Sequence, residues 1–174
     1  MGSASIDRIL YSKFKVTTAD GCGYRFSVYF QGCPIRCPGC HNKGIWDIQE
    51  GVGISIETLI TEIKHIKFLS GVSILGGEPF YQKEGLRNLV SEIRRQLPEL
   101  TIWIYSGYTL EWLRDKNDVD YNYILTNIDV LVDGPYIESM YDETCIFKGS
   151  SNQRIIKNPG KECKIITDIS ELDS

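Results

Sequence analysis

Short apolar segments alternate with amphipathic segments along this 174-residue chain, and this alternation limits its fold more than any other feature. Strands are predicted at 24–31, 72–75, 101–105 and 128–132, and helices at 56–69, 83–97 and 110–116. Strands that alternate with helices pair in parallel through right-handed crossovers, so the pattern predicts an α/β fold with a parallel sheet. A closed eight-stranded barrel takes about 250 residues, so we expect an open, partial βα barrel.

Length and charge narrow the class of protein. The chain has the length of one domain, and no repeat or linker divides it, so residues 1–174 are predicted to form a single domain. Its 19 basic and 23 acidic side chains give a net charge of -4, which argues against broad binding to nucleic acid or an anionic membrane. Without an apolar run of about 18 to 20 residues or a secretory signal, we expect a cytoplasmic protein.

Unusual sequences follow each of the four predicted strands. They are a cysteine-rich loop at 32–53, Gly76-Gly77-Glu78-Pro79, Ser106-Gly107-Tyr108 and Asp133-Gly134-Pro135-Tyr136. The carboxyl ends of parallel strands lie at one edge of a sheet, and the chemistry of α/β proteins is found in the loops that leave this edge. The sequence therefore predicts one site, assembled there.

Three of the six cysteines, Cys33, Cys37 and Cys40, form a C-x3-C-x2-C arrangement. Since the cytosol keeps thiols reduced, this clustering favours a metal centre over disulfides. A 4Fe-4S cluster normally takes four cysteines, so three would leave one iron open to a substrate or cofactor. The alternative is a small zinc site with His41 as fourth ligand, although adjacent Cys40 and His41 would chelate one tetrahedral ion poorly. The remaining cysteines are predicted to be ordinary thiols: Cys22, Cys145 and Cys163.

The cysteine motif resembles the signature of the radical S-adenosylmethionine superfamily. Its members carry C-x3-C-x2-C after the first strand of a partial barrel and a Gly-Gly-Glu motif after the second, as Gly76-Gly77-Glu78 does here. The resemblance implies a radical S-adenosylmethionine type of partial barrel, with a 4Fe-4S cluster held by the three clustered cysteines. It also implies a set of residues that line the S-adenosylmethionine site: Gly39, Cys40, His41, Gly76, Gly77 and Glu78.

Physical chemistry supports part of that implied site. Two consecutive glycines let the backbone approach a ligand closely. The carboxylate of Glu78 can accept charge-assisted hydrogen bonds from the ammonium group of S-adenosylmethionine. Tyr105, Ser106 and Asp133 lie at the same predicted edge and are further candidates for contact with the adenosine.

From about residue 6 to about residue 156, the chain is similar to a narrower family, the activating proteins of anaerobic ribonucleotide reductase. The similar segments are 30–42, 102–108, 128–134 and 148–154. Two departures are visible. Asp20-Gly21-Cys22-Gly23 stands where the family has a Gly-Pro-Gly-like turn, and His41 stands where a tyrosine is common. In having histidine at this position, the chain resembles the pyruvate formate-lyase activating enzyme.

The resemblance implies an oxidoreductase that cleaves S-adenosylmethionine reductively. The 5′-deoxyadenosyl radical would then create a glycyl radical on anaerobic ribonucleotide reductase, its protein partner. An external donor, flavodoxin-like or another low-potential protein, would supply the electron, and no catalytic residue is expected beyond the cluster and cofactor.

Alternatives remain open at this point. They are an activase of another glycyl radical enzyme such as pyruvate formate-lyase, a small-molecule radical enzyme similar to 7-carboxy-7-deazaguanine synthase, and a non-catalytic zinc-binding module. The closing segment Gly149-Ser150-Ser151-Asn152-Gln153-Arg154 favours the activating proteins over small-molecule enzymes.

Overall fold

An open sheet of eight strands forms the frame of the computed structural model, which describes residues 7–172. The strands are β1 (Arg8–Thr17), β2 (Arg25–Phe30), β3 (Val52–Ser55), β4 (Gly71–Gly76), β5 (Thr101–Tyr105), β6 (Val130–Asp133), β7 (Arg154–Lys157) and β8 (Lys164–Ile166). The helices are α1 (Ile56–His65), α2 (Lys83–Gln96), α3 (Leu110–Asp115) and α4 (Val119–Asn127). Over the described range, no helix combines the length and apolar character needed to cross a bilayer.

The four central strands confirm the predicted parallel sheet. β2 pairs with β4, β4 with β5 and β5 with β6, each in parallel, and helices connect them. Antiparallel strands extend the sheet on both sides, so that its order is β3-β1-β2-β4-β5-β6-β7-β8. Within the described residues the sheet does not close on itself. The α/β class is therefore confirmed, whereas the curvature of a partial barrel and the single domain over 1–174 stay predictions.

Most predicted elements lie within a few residues of their observed positions. β5 has the predicted bounds, and Ser55 caps α1 by accepting a hydrogen bond from the Thr58 amide at 3.0 Å. α1 ends at His65 rather than near residue 69, because Ile66 already adopts an extended backbone. β6 begins at Val130 rather than 128, because Ile128 is the residue that ends α4.

Both faces of the central strands are covered, which explains why every residue of β2 is buried. One face packs against the helices through the main apolar core, which includes Phe26, Val28 and Phe30. The opposite face carries a smaller cluster: Trp103, Val130, Val132, Ile155 and Ile166.

Arg25 joins the amino ends of three central strands, at the edge opposite the predicted site. Its side chain is 1% exposed, and burial lowers its pKa to about 10. All five guanidinium N–H groups have acceptors, which are the hydroxyls of Ser73 and Thr101 and the carbonyls of Cys22, Val72 and Thr101. This network fixes the amino ends of the central strands, whereas the loops of the predicted site leave their carboxyl ends.

Candidate active site

The loop 31–47 leaves the carboxyl end of β2 and carries the three clustered cysteines. The Gly32 amide donates to the Ile45 carbonyl at 2.7 Å, and the Cys33 amide donates to the Trp46 carbonyl at 3.0 Å. The Gln31 side-chain amide donates to the Asp47 carbonyl at 2.7 Å. These bonds tie the two ends of the loop together and hold the cysteines at the end of the sheet.

Gln82 fixes the base of this loop to the sheet. Its side-chain amide donates to the carbonyls of Leu10 and Gln31, at 2.8 and 3.0 Å, and its oxygen accepts from the Leu10 amide. Sequence reasoning missed Gln31 and Gln82, since their partners lie as far as 72 positions away along the chain.

Backbone amides lie close to two of the three thiols. Burial raises the pKa of the Cys33 thiol, and the backbone amides of Arg36 and Ile35 oppose this effect. The Asn42 amide donates to the sulfur of Cys40 at 3.4 Å. Such N–H donors stabilise negative charge on a ligating sulfur and influence the reduction potential of a cluster.

All three thiols line one cleft of about 490 Å3 at the carboxyl edge of the parallel strands. The same cleft is lined by His41, Gly76, Gly77 and Glu78, so it brings together the residues predicted to hold the cluster and S-adenosylmethionine except Gly39, which lies within the cysteine loop. Its other lining residues are Ile35, Asn42, Leu75, Tyr105, Ser106, Gly107, Val132, Gly134, Tyr136, Tyr141, Gly149 and Gln153.

The two consecutive glycines let β4 approach the cysteine loop at the backbone level. Gly76 has φ +109°, and the Gly77 amide donates to the Phe30 carbonyl at 2.8 Å. A Cβ atom on Gly77 would lie 2.2 Å from the carbonyl oxygen of Gly32. The motif therefore serves the packing of two loops, and its contact with a ligand stays a prediction.

Glu78 connects the loops that follow β4 and β5. Its carboxylate is 1% exposed and accepts hydrogen bonds from the Phe80 amide at 3.1 Å, the Gly107 amide at 2.8 Å and the Ser106 hydroxyl at 2.9 Å. Burial raises the pKa of this carboxyl to about 7, against the opposing effect of the Gly107 and Phe80 amides. Glu78 thus organises the site while it lines the cleft.

Asp133 is buried and acts within the chain, outside the lining of the cleft. One carboxylate oxygen accepts from the Leu110 amide at 2.7 Å, where α3 begins, and the other accepts from Arg154 Nε at 3.0 Å. Arg154 also bonds Glu111 at 2.6 Å. Asp133 therefore positions α3 and β7, and the structure gives no support for a contact with adenosine.

The closing segment 149–154 holds the loop that follows β6. The side-chain oxygen of Gln153 accepts from the Gly149 amide at 2.7 Å, and its amide donates to the Gly134 carbonyl at 2.9 Å. The Asn152 side chain donates to the Pro135 carbonyl at 2.8 Å. Through these hydrogen bonds, the side chains of Asn152 and Gln153 fix the closing segment to the loop beside the cleft.

The geometry fits a cluster better than a single zinc ion. In residues 7–172, no three His, Cys, Asp or Glu side chains converge on a position for one metal ion. The ring of His41 instead lies 5.5 Å from that of Tyr136 and 6.2 Å from that of Tyr141. A 4Fe-4S cluster binds each thiolate at a different iron, so its ligands surround a volume and need not meet at one point.

Two buried hydroxyls in the described part of the chain have no hydrogen-bond partner, those of Ser27 and Tyr105. We expect Tyr105→Phe to leave the free energy of unfolding unchanged or to raise it by about 1 kcal/mol, because the variant removes an unsatisfied group. Tyr29→Phe is the matched control, since the Tyr29 hydroxyl donates to Asp20 at 2.7 Å. It should cost about 1 kcal/mol. Urea unfolding of both variants checks this, and a larger loss for Tyr105→Phe than for Tyr29→Phe would contradict it.

Known proteins similar to this chain agree with the site geometry. The family model described as a 4Fe-4S single cluster domain matches residues 19–156. The anaerobic ribonucleoside-triphosphate reductase-activating protein of Enterobacteria phage T4 is 30% identical over 143 residues, which cover 80% of this chain and 87% of that protein. The protein of the same name from Vibrio cholerae is 30% identical over 148 residues, covering 82% of this chain and 93% of that protein.

A solved structure, that of QueE from Escherichia coli, shares the fold with a TM-score of 0.50 and 21% identity. The match covers 59% of this chain and about half of QueE, 54% of its length. The family model and the relatives confirm the resemblance to the activating proteins of anaerobic ribonucleotide reductase, which rested on segments 30–42, 102–108, 128–134 and 148–154. This chain belongs to the 4Fe-4S single cluster domain family, and within it to the group of the anaerobic ribonucleoside-triphosphate reductase-activating proteins.

Proposed function

We propose that this protein activates an anaerobic ribonucleotide reductase: it cleaves S-adenosylmethionine and thereby generates a glycyl radical on the reductase. The observation that carries the proposal is the single cleft lined by Cys33, Cys37, Cys40 and Glu78 at the carboxyl edge of the parallel strands. The names of the relatives support the choice of the reductase as protein substrate.

Cys33, Cys37 and Cys40 are the proposed ligands of a 4Fe-4S cluster, one fewer than such a cluster usually has. When bound there, the cluster would supply the electron for reductive cleavage of S-adenosylmethionine, the source of the 5′-deoxyadenosyl radical that would remove a hydrogen from a glycine α-carbon. The chain itself binds and orients the reactants. We assign S-adenosylmethionine binding to six residues: Gly39, Cys40, His41, Gly76, Gly77 and Glu78.

The other partners belong to the same proposal. A flavodoxin-like or other low-potential protein supplies the electron in the cytoplasm, and neither nucleic acid nor a membrane takes part. The net charge of -4 supports the last point, because broad binding to nucleic acid or anionic lipid needs positive charge.

Glu78→Gln tests the S-adenosylmethionine site. The variant removes the negative charge that attracts the ammonium group, so we expect about 1 to 3 kcal/mol weaker binding with unchanged iron content. Because the pKa of Glu78 is about 7, the carboxyl is mostly neutral at pH 6 and mostly ionised at pH 8. The affinity of the unmodified protein for S-adenosylmethionine should therefore rise with pH over this interval, and Glu78→Gln should lose the part of the rise that this carboxyl causes.

Anaerobic titrations at pH 6, 7 and 8 measure both effects. Ser106→Ala is the matched control, because it removes one hydrogen bond to Glu78 and retains the charge. It should keep the rise with pH. Equal affinities of Glu78→Gln and the unmodified protein at pH 8 would contradict the assignment of the ammonium group to Glu78.

The function itself is tested with the anaerobically reduced protein, S-adenosylmethionine and the cognate reductase. We expect 5′-deoxyadenosine to form together with a radical on the reductase. Cleavage of S-adenosylmethionine without radical formation on the reductase, accompanied by turnover of a purine precursor, would favour the small-molecule alternative instead.

A further inference from the structure

A surface groove of about 540 Å3 lies next to the cleft, and Tyr141 lines both. The remaining residues of the groove are Ser139, Met140, Asp142, Glu143 and Ser151. The groove belongs to the loop that follows β6, whose residues 137–146 we call the rim segment. A molecule bound in this shallow groove would therefore lie beside the cleft, in contact with a residue that lines both.

Apolar side chains are concentrated in the rim segment. Four large ones are exposed there within ten positions: Ile137, Met140, Tyr141 and Ile146. The other large hydrophobic side chains exposed in residues 7–172 are scattered along the chain: Tyr24, Val52, Phe68, Tyr81, Val119 and Ile165. Two of them, Met140 and Tyr141, line the groove, and exposed apolar side chains that lie together are typical of a protein interaction site.

The negative charge of the rim segment favours protein partners with positively charged residues. It carries three carboxylates, Glu138, Asp142 and Glu143, and no lysine or arginine. Facing charges of opposite sign speed association and disfavour wrong partners. The chemistry that fits this surface is an apolar segment with cationic residues.

The rim segment is held in place before any partner binds. Tyr141 forms a β-bridge with Ser150, and the Ser151 amide donates to the Met140 carbonyl at 2.8 Å. The ring of Tyr141 also lies against that of His41 in the cysteine loop. A preformed surface loses little conformational entropy on binding.

We propose that this groove is the docking site for the segment of the reductase that carries the target glycine, with cationic residues of that segment facing the rim carboxylates. The inference rests on the proposed function and adds the surface and the chemistry of the partner. Tyr141, at the boundary of groove and cleft, marks where the bound segment turns inward.

The test measures radical formation as a function of reductase concentration, and direct binding of the reductase by calorimetry. Glu143→Lys and Met140→Ser alter the groove and lie outside the residues assigned to the cluster and S-adenosylmethionine. Glu99→Lys makes the same charge change, and Phe68→Ser removes an apolar side chain that is 92% exposed, against 40% for Met140; both controls lie near the opposite edge of the sheet.

We expect both groove variants to raise the KM and the Kd for the reductase roughly fivefold or more, with unchanged iron content and S-adenosylmethionine affinity. The two controls should stay within about twofold of the unmodified protein. If the unmodified protein activates the reductase and the groove variants bind it like the controls, the docking site is wrong while the proposed function stands. If the unmodified protein forms no radical on the reductase and does not bind it, both proposals fail.

Discussion

Replacing Cys33, Cys37 or Cys40 by alanine is expected to abolish iron binding, from about four iron per chain after anaerobic reconstitution to nearly none. All three thiols line one cleft, and three is already one fewer than such a cluster usually has. Two thiolates cannot retain it, so each single variant should lose the cluster, the brown colour and all cleavage of S-adenosylmethionine. Iron and sulfide analysis, with the absorption spectrum, measures the effect.

The chain supplies matched controls for these variants. Cys22, Cys145 and Cys163 do not line the cleft, and their alanine variants should keep the full iron content. His41→Ala should also keep it, because a zinc site would need His41 as a ligand whereas a cluster would not. Loss of iron from Cys145→Ala to the extent seen for Cys37→Ala would refute the three-ligand assignment, and one zinc per chain without sulfide would refute the cluster.

The central part of the fold was predictable because α2 and β5 carry strong patterns in the sequence. α2 has an apolar stripe at helical spacing, and β5 is a short apolar run that fits a buried strand. Both were found within a residue of their predicted bounds. The cysteine loop and the Gly-Gly-Glu motif follow adjacent parallel strands, so topology alone brings them to one edge.

The missed elements carry weaker signals. α4 was not predicted, because its sequence has little amphipathic character. Even its first residue, Val119, is an apolar residue that the structure leaves exposed. β3, β7 and β8 have only three or four residues each, and strands this short depend on pairing that the sequence does not display. β1 is long, but only one of its ten residues is buried, so its sequence lacks the apolar run of a central strand. Its antiparallel pairing with β2 depends on the tertiary structure.

The hydrogen-bond connections within the site were also outside the reach of sequence reasoning. Glu78 was predicted as a ligand for an ammonium group, and its bonds to Ser106 and Gly107 became visible only in the structure. Gln82 belongs to no motif, and Gln153 belongs to the closing segment, whose bonds the sequence does not display; both bond to carbonyls of other loops. Such residues are recognised only once the backbone groups they satisfy are known.

The second large effect concerns the reductase. Hydrogen abstraction needs the glycine α-carbon at about 3 to 3.5 Å from the radical carbon, so the reductase must bring a segment of its backbone into the cleft. The sheet is open within residues 7–172, and a surface groove lies beside the cleft with Tyr141 lining both, which suits entry of such a segment. Glycine suits the target position because no side chain blocks the approach and the flanking peptide groups delocalise the radical. We therefore expect the unmodified protein to activate the reductase and the variants of the cluster cysteines to give no activation.

Electron paramagnetic resonance of the reductase, after anaerobic incubation with the reduced protein and S-adenosylmethionine, tests this claim most directly. The predicted signal is a doublet split by the one remaining α-hydrogen, and it should collapse to a single line when the reductase contains glycine deuterated at the α-carbon. The Cys37→Ala variant should give no signal. A protein with an intact cluster that cleaves S-adenosylmethionine, yet never produces the doublet on its cognate reductase, would contradict the proposed function.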